Sequence, residues 1–199
     1  SIDGPRTDVV DKTVFAYYQD SASFCADPLG ACPYVKGYLK SVTNPLNQKI
    51  EYLSYSRYGR VGAIKDQNGV ITDFEYDAYG RVTARKRRGT NDTAETDDQI
   101  TRIEYWPIGQ IKKVTQPDGT FTAYAYDSAH RLTGISDNAG NSMSFTLNAA
   151  SERVKEEIKD ASGVLQYQLS LTYNTLGQLQ TVTDAYARNT GFTYDLNSN

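Results

Sequence analysis

The stretch that decides the fold is Phe74-Glu75-Tyr76-Asp77-Ala78-Tyr79-Gly80-Arg81-Val82. It reads as the end of one strand, a tight turn and the start of the next strand. Asp77 and Gly80 take the first and last places of a four-residue turn. An Asp in the first place bonds backbone amides further on, and a Gly in the last accepts positive φ without a Cβ clash. Phe74 and Tyr76 are two apart and so share one face of a strand.

The stretch recurs. Its copies centre on Tyr55-Ser56-Arg57-Tyr58-Gly59-Arg60, Tyr105-Trp106-Pro107-Ile108-Gly109-Gln110, Tyr126-Asp127-Ser128-Ala129-His130-Arg131 and Tyr173-Asn174-Thr175-Leu176-Gly177-Gln178. A weaker copy, Leu147-Asn148-Ala149-Ala150-Ser151-Glu152-Arg153-Val154, reads as carrying one extra residue after the turn. A truncated copy closes the series at Tyr194-Asp195-Leu196-Asn197-Ser198. The turn-closing positions 59, 80, 109, 130, 151, 177 and 198 are separated by 21, 29, 21, 21, 26 and 21 residues. This is a 21-residue unit with two insertions, and a fixed period of this size marks a repeat architecture.

Each unit reads as two strands and two turns. The second turn carries Asp, Asn and Gly, as in Asp66-Gln67-Asn68-Gly69, Pro117-Asp118-Gly119, Asp137-Asn138-Ala139-Gly140 and Asp160-Ala161-Ser162-Gly163. These are hairpin chemistries, so the chain is an antiparallel meander. Two residues before the motif Tyr stand Leu53, Phe74, Ile103, Tyr124, Phe145, Leu171 and Phe192; after the turn stand Val61, Val82, Ile111, Leu132, Val154 and Leu179. Such columns give one apolar face, expected to form a continuous core, each residue contributing about 1.5–3 kcal/mol on full burial. The next apolar residues, Ile64, Ile135 and Val182, come three along rather than two, which a bulge or a bend reconciles, and which points to a strongly curved sheet.

Composition agrees. Hydrophobic content is 39%, with 16 Tyr, 15 Gly and no convincing helical period. The net charge of −3 points to neither nucleic acid nor a membrane surface, and no apolar run approaches a membrane span. Residues 1–37 read as an irregular first repeat with a long loop, and 38–199 as tandem repeats in a single continuous domain. The opening Ser1-Ile2-Asp3-Gly4-Pro5 reads neither as a signal peptide nor as a natural N-terminus, so the chain is expected to be part of a longer one. Cys25 and Cys32 flank a short loop; a disulfide there would add about 2–3 kcal/mol at most, and two free thiols are equally compatible.

The series Tyr-x-Tyr-Asp-x-x-Gly-Arg at this spacing resembles the YD repeat of Rhs proteins, also found in insecticidal toxin-complex shells and in teneurins. The likeness covers about residues 38–199, and Ile2-Asp3-Gly4-Pro5-Arg6-Thr7-Asp8 resembles an Rhs stretch upstream of the repeats. It implies an all-β fold, an antiparallel sheet spiralling as part of a hollow shell around a C-terminal toxin. By the same resemblance the protein is secreted or delivered by a bacterial secretion system. The self-cleaving core of the family and a toxin domain are missing from this sequence. Asp27-Pro28-Leu29-Gly30 is superficially similar to a piece of that core, lies on the wrong side of the repeats and reads as a turn. His130 and Ser151 at the Gly place, and Trp106-Pro107 at the Asp place, are where turn geometry is expected to depart from the ideal.

Nothing in the sequence calls for catalysis, a metal or a cofactor. Asp77, Asp127 and Asp195 recur in equivalent turns, whereas a catalytic pair is unique. His130 reads as a turn residue that tolerates left-handed φ. Arg60, Arg81 and Arg131 follow the turn, and Gln110 and Gln178 replace Arg where Asp is also lost. This covariation within the chain suggests Arg–Asp pairing, or Arg lying over a Tyr ring. The basic run Arg85-Lys86-Arg87-Arg88 is answered by Glu95, Asp97 and Asp98 across a long hairpin, so nucleic-acid binding is not expected. The leading expectation is a structural shell segment whose open sheet edges meet the rest of its own chain or further copies. The alternative is a carbohydrate or cell-surface binding module. The two differ in where Tyr17, Tyr58, Tyr79, Tyr167 and Tyr186, which lie off the main column, face.

Overall fold

The computed structural model describes residues 1–2, 11–22, 31–32, 34–56, 58–90 and 95–195. Cys25, the Cys32 side chain, Asp27–Gly30 and the turn after Asp195 lie outside the described residues. The chain divides into two compact units, residues 1–103 and 104–199.

The first unit holds β1 (Val14–Tyr17), β2 (Ala31–Cys32), β3 (Leu39–Thr43), β4 (Lys49–Ser56), β5 (Val61–Lys65), β6 (Ile71–Tyr76), β7 (Val82–Arg87) and most of β8 (Gln99–Tyr105). Apart from β2, which pairs with β4, each strand pairs with its successor in the order β1-β3-β4-β5-β6-β7-β8. The second unit holds β9 (Ile111–Thr115), β10 (Phe121–Tyr126), β11 (Leu132–Asp137), β12 (Ser142–Leu147), β13 (Arg153–Lys159), β14 (Leu165–Tyr173), β15 (Leu179–Asp184) and β16 (Asn189–Gly191), again in sequence order. The ladders are antiparallel throughout. The meander expected from the hairpin turns is present in both units.

Of the bulge and the bend that the three-residue step allows, the structure has a bulge. Tyr76 faces Val82 and Glu75 faces Ala84, which leaves Thr83 as the extra residue. Gly62, Thr133, Val154 and Gln180 hold the same place in four other hairpins. This corrects the reading of the 147–154 copy. Leu147 faces Arg153, so that unit has no insertion after its turn, and Val154 is the ordinary bulge residue. The column position there belongs to Arg153, whose guanidinium lies 4.1 Å from the Phe145 ring centroid.

A second correction concerns Leu53. The β4–β5 register shifts on both sides of Ser54 and skips Leu53, which is exposed. Tyr52 instead lies beside Tyr55, with ring centroids 6.4 Å apart. The expected continuous core is also not there. Among the described residues the buried apolar ones are Tyr18, Tyr55, Ala63, Ala84 and Phe145. Among the described residues of each unit the apolar columns are shielded mainly by neighbouring side chains of the same sheet, and most of them stay half-exposed.

The irregular first repeat packs onto this sheet with tyrosines. Tyr18 stacks on Tyr34 at 3.7 Å between centroids and donates its hydroxyl to the Tyr52 carbonyl at 2.6 Å. The Tyr38 ring meets Tyr55 at 4.7 Å. Burial pushes the Tyr55 phenol up to about 12, with the neighbouring tyrosines adding to it.

Candidate functional site: the repeated turns

Twelve of the hairpin turns share one geometry. The first residue's amide donates to the fifth residue's carbonyl, and the fourth residue's amide donates back to the first residue's carbonyl. The pattern starts at Asn44, Ser56, Asp66, Asp77, Trp106, Gln116, Asp127, Asp137, Asn148, Asp160, Asn174 and Asp184. It is a three-residue loop closed by a residue in the left-handed region, a turn that matches the twist of paired strands. Gly80 closes its loop with φ 79°, His130 with 65° and Ser151 with 68°. The positions expected to depart from the ideal therefore keep it. His and Ser, like Asn47 and Ala187, accept positive φ where the loop is over-determined by two backbone bonds. The motif turn and the second turn, distinct in sequence, are thus the same device at the two ends of each hairpin. Sequence reading missed the turn at Asp184–Arg188, because Ala187 stands where Gly was sought.

In seven of these turns the first and fifth side chains bond to each other. Asp77 Oδ1 accepts from the Tyr79 and Arg81 amides, both at 2.9 Å, and Oδ2 accepts from Arg81 Nε at 2.6 Å. Asp127 with Arg131 and Asp184 with Arg188 repeat this at 2.8 and 2.6 Å. Where Asp becomes Asn, an acceptor replaces Arg: Asn174 Nδ2 donates to Gln178 Oε1 at 2.7 Å, Asn44 to Gln48 and Asn148 to Glu152 Oε2, each at 2.7 Å. The pairing inferred from the joint loss of Asp and Arg is therefore within one turn. In the Trp106 turn the first side chain directs its indole N–H to the Tyr124 carbonyl at 3.5 Å instead of to its partner. Among the described residues Gln110 Oε1 is accordingly the buried side-chain atom without a hydrogen bond.

The fifth side chain also reaches the next turn on the same edge. The Arg60 guanidinium lies against Gly80, where a Cβ would come within 2.5 Å of its Nε. Gln110 Nε2 donates to the His130 carbonyl. Arg131 donates to the Asn148 carbonyl at 2.8 Å and to Ser151 Oγ at 3.1 Å. Glu152 Oε1 stands 3.0 Å from where a Gly177 Cβ would lie. Motif tyrosines tie the strands from the other direction. Tyr76 donates to the Val61 carbonyl at 2.7 Å, Tyr173 to Arg153 at 2.8 Å and Tyr194 to Leu179 at 2.7 Å; Tyr55 donates to Leu39. Each carbonyl belongs to the preceding strand, so the hydroxyl fastens one hairpin to the one before it. Of the motif residues named from sequence, Gly59 and Gly109 close their turns at φ 76° and 101°, and Gly177 at 74°. Tyr105 and Tyr126 end β8 and β10.

The electrostatics are those of a scaffold. Burial pushes the Asp77 carboxyl up, but the Arg81 amide and guanidinium outweigh it and hold the group below the usual carboxylate range. The Arg131 amide and guanidinium lower Asp127, and the Arg188 amide and guanidinium lower Asp184. A carboxylate held ionised by its own turn is a poor proton carrier near neutral pH. The basic run is spent on the insertion hairpin. Arg88 grips Asp73 through two bonds of 2.6 and 2.9 Å, and Lys86 lies 3.7 Å from the buried Asp98. No grouping of metal-ligating side chains occurs among the described residues.

The family described as RHS Repeat matches residues 105–142, the turns of Trp106, Gln116, Asp127 and Asp137. Those residues are thus similar to an RHS repeat. Double-stranded DNA deaminase toxin A of Burkholderia cenocepacia (strain H111) is 28% identical to this chain over 142 residues, 71% of this chain and 9% of that protein. The chain thus spans less than a tenth of that relative. The crystal structure of TcdB2-TccC3-Cdc42 superposes with a TM-score of 0.61 at 13% identity, over 87% of this chain and 10% of that one. At that identity the likeness shows a shared fold. Together the repeats and the fold support a structural role.

Proposed function

We propose that this chain is a wall segment of an Rhs-type shell that encloses a toxin, with no catalysis of its own. The observation that carries the reading is the turn ladder, in which Arg60, Gln110 and Arg131, each the fifth side chain of a motif turn, reach the following motif turn. Such a device builds an indefinitely extendable sheet and offers no unique pair of reacting groups. The partners on this reading are further repeats of the same polypeptide and the enclosed toxin segment, and the whole is exported. The test is protease protection in the full polypeptide carrying these repeats. An enclosed segment resists cleavage until the sheet is unfolded by urea. Cleavage of that segment at the same rate before and after unfolding refutes enclosure.

A further inference from the structure

The tyrosines off the apolar column are exposed for two different reasons. Tyr58, Tyr79 and Tyr186 stand at turn tips, each backed by the arginine of its own turn, with Arg60, Arg81 and Arg188 6.0, 5.1 and 5.4 Å from the ring centroids. Tyr167 lies inside a strand, β14, and is still 40% exposed. Strand register explains this. The insertion that stretches one repeat interval from 21 to 26 residues lengthens the β13–β14 hairpin, and β14 runs to nine residues. β15 pairs with it from Leu169 to Tyr173 and stops at Asp184, where its own turn begins. Leu165–Gln168 therefore pairs with β13 on one side and, among the described residues, with no strand on the other. Alternate residues of an antiparallel strand direct both backbone groups to the same side, so part of this stretch holds N–H and C=O groups toward the gap.

The side chains of this edge are neutral: Val164, Leu165, Gln166, Tyr167 and Gln168. Val164 is 56% exposed and Leu165 41%. Asp184, at the far end of the gap, is neutralised by Arg188 at 2.6 Å. Behind the edge, cross-strand pairing lines up Tyr167, Ile158, Met143 and Ile135 on one face. Ile158, Met143 and Ile135 help to line a shallow depression of about 230 Å³. Unpaired backbone groups beside an apolar row are what an added strand uses, the first for affinity and the second for specificity.

The chain makes such an addition elsewhere. β3 pairs with β4 only from Lys49 to Glu51, and β5 holds the other side of β4 as far as Tyr55. The two-residue β2, which lies off the path of the meander, fills the side that β3 leaves, at Tyr55 and Ser56. A gap left by strands of unequal length is there closed by a short extended segment.

We propose that the Leu165–Gln168 edge takes an extended, uncharged segment of a partner polypeptide, added as a short strand with apolar residues at alternate places beside Tyr167. A charged segment would lose hydration against this neutral edge without gaining an ion pair. A second copy of this chain is a poorer occupant. Two such short edges paired with each other bury far less than the ~1,200 Å² of a stable interface, whereas a flexible segment also covers the row from Tyr167 to Met143.

Fluorescence anisotropy of a capped, labelled peptide of alternating threonine and valine, titrated with the chain, tests the assignment. The peptide should bind saturably, and a copy with proline at its centre, which lacks a strand donor, should bind several-fold more weakly. Tyr167→Lys, which places a charge on the edge, should weaken binding several-fold, and Leu165→Ser in the same direction by less. Thermal melting confirms that both variants fold. In hydrogen exchange read by mass spectrometry, the peptide should slow the amides of Leu165–Gln168. Absence of saturable binding, equal binding by the proline copy, unchanged affinity in both variants, or slowing confined to Asn189–Gly191 overturns the inference. So does self-association of the peptide-free chain that itself slows exchange at Leu165–Gln168, which would make a second copy the occupant.

Discussion

Gly80 performs two tasks that substitution can separate. Its φ of 79° is shared with Gly163 at 77°, but the surroundings differ. Nothing lies within 4 Å of a Cβ built on Gly163, whereas at Gly80 that atom would overlap the Arg60 guanidinium. A Cβ at positive φ costs about 1–2 kcal/mol, offset by roughly 0.4–1 kcal/mol from the smaller entropy of the unfolded chain. Gly163→Ala should therefore destabilise by about 0.5–1 kcal/mol. Gly80→Ala pays the same backbone term and also drives Arg60 off its seat and off the Tyr58 ring. That adds about 0.5–1 kcal/mol, the worth of an exposed cation–π contact with its packing. In an Arg60→Ala background the extra loss should vanish, giving a coupling of the same size. Urea unfolding monitored by circular dichroism reads these differences as shifts in midpoint at constant slope. Equal losses for the two glycines, or a difference that persists without Arg60, would refute the ladder contact. Gly80→Val, β-branched at the same φ, should lose more than Gly80→Ala and exceed about 1 kcal/mol.

Tyr76→Phe removes the bond to the Val61 carbonyl and should cost about 0.5–1.5 kcal/mol, measured in the same unfolding assay; an unchanged midpoint would show that water replaces the hydroxyl without loss. Asp77→Asn alone leaves the Arg81 guanidinium against an amide, and adding Arg81→Gln recreates the pair of Asn174 and Gln178. The double variant should be more stable than Asp77→Asn alone; additive losses would contradict the matched-pair reading. Asp77, Asp127 and Asp184 have folded values below those of the unfolded chain. Their stabilisation is full above the unfolded carboxylate value of about 3.9 and is lost as pH falls through the lower folded values. Melting temperature should be level through neutral pH and fall in acid, and an acid-independent melting point would argue against ionised turn carboxylates. Arg88→Ala breaks the bidentate grip on Asp73 in the insertion hairpin and should raise hydrogen exchange in β7 and β8 without altering exchange in β10 to β15.

The residues within one hairpin are enough to specify it. Asp77 bonds amides two and four residues on, Gly80 supplies positive φ, and Phe74 and Tyr76 alternate to one face. All of this acts within a nine-residue window, so local chemistry sets the strands and the turns; whether the apolar step after the turn is a bulge or a bend, and whether Arg81 pairs with Asp77 of its own turn or a neighbour's, was open until strand register was known. The period of 21 then identified the architecture. Less local features were misread for physical reasons. Leu53 has the spacing of a column residue, but a bulge in β4 turns Tyr52 to the face instead. Arg153 rather than Val154 holds its column, because strand register and not hydrophobicity assigns the position. Ala187 closes a turn that no glycine announces, since two backbone bonds impose its φ.

Contacts between hairpins belonged to the tertiary structure alone. Arg60 against Gly80, Arg131 on Ser151 and Tyr76 on Val61 join residues 15 to 20 apart in sequence. Which pairs meet depends on how neighbouring strands are registered, and a side chain's identity does not encode that. The same holds for exposure. The sequence shows that Tyr58 and Tyr79 lie off the apolar column, but only the folded sheet sets them at the tips of adjacent turns with Arg60 between them, because the spacing across a sheet is set by backbone hydrogen bonds and not by distance along the chain.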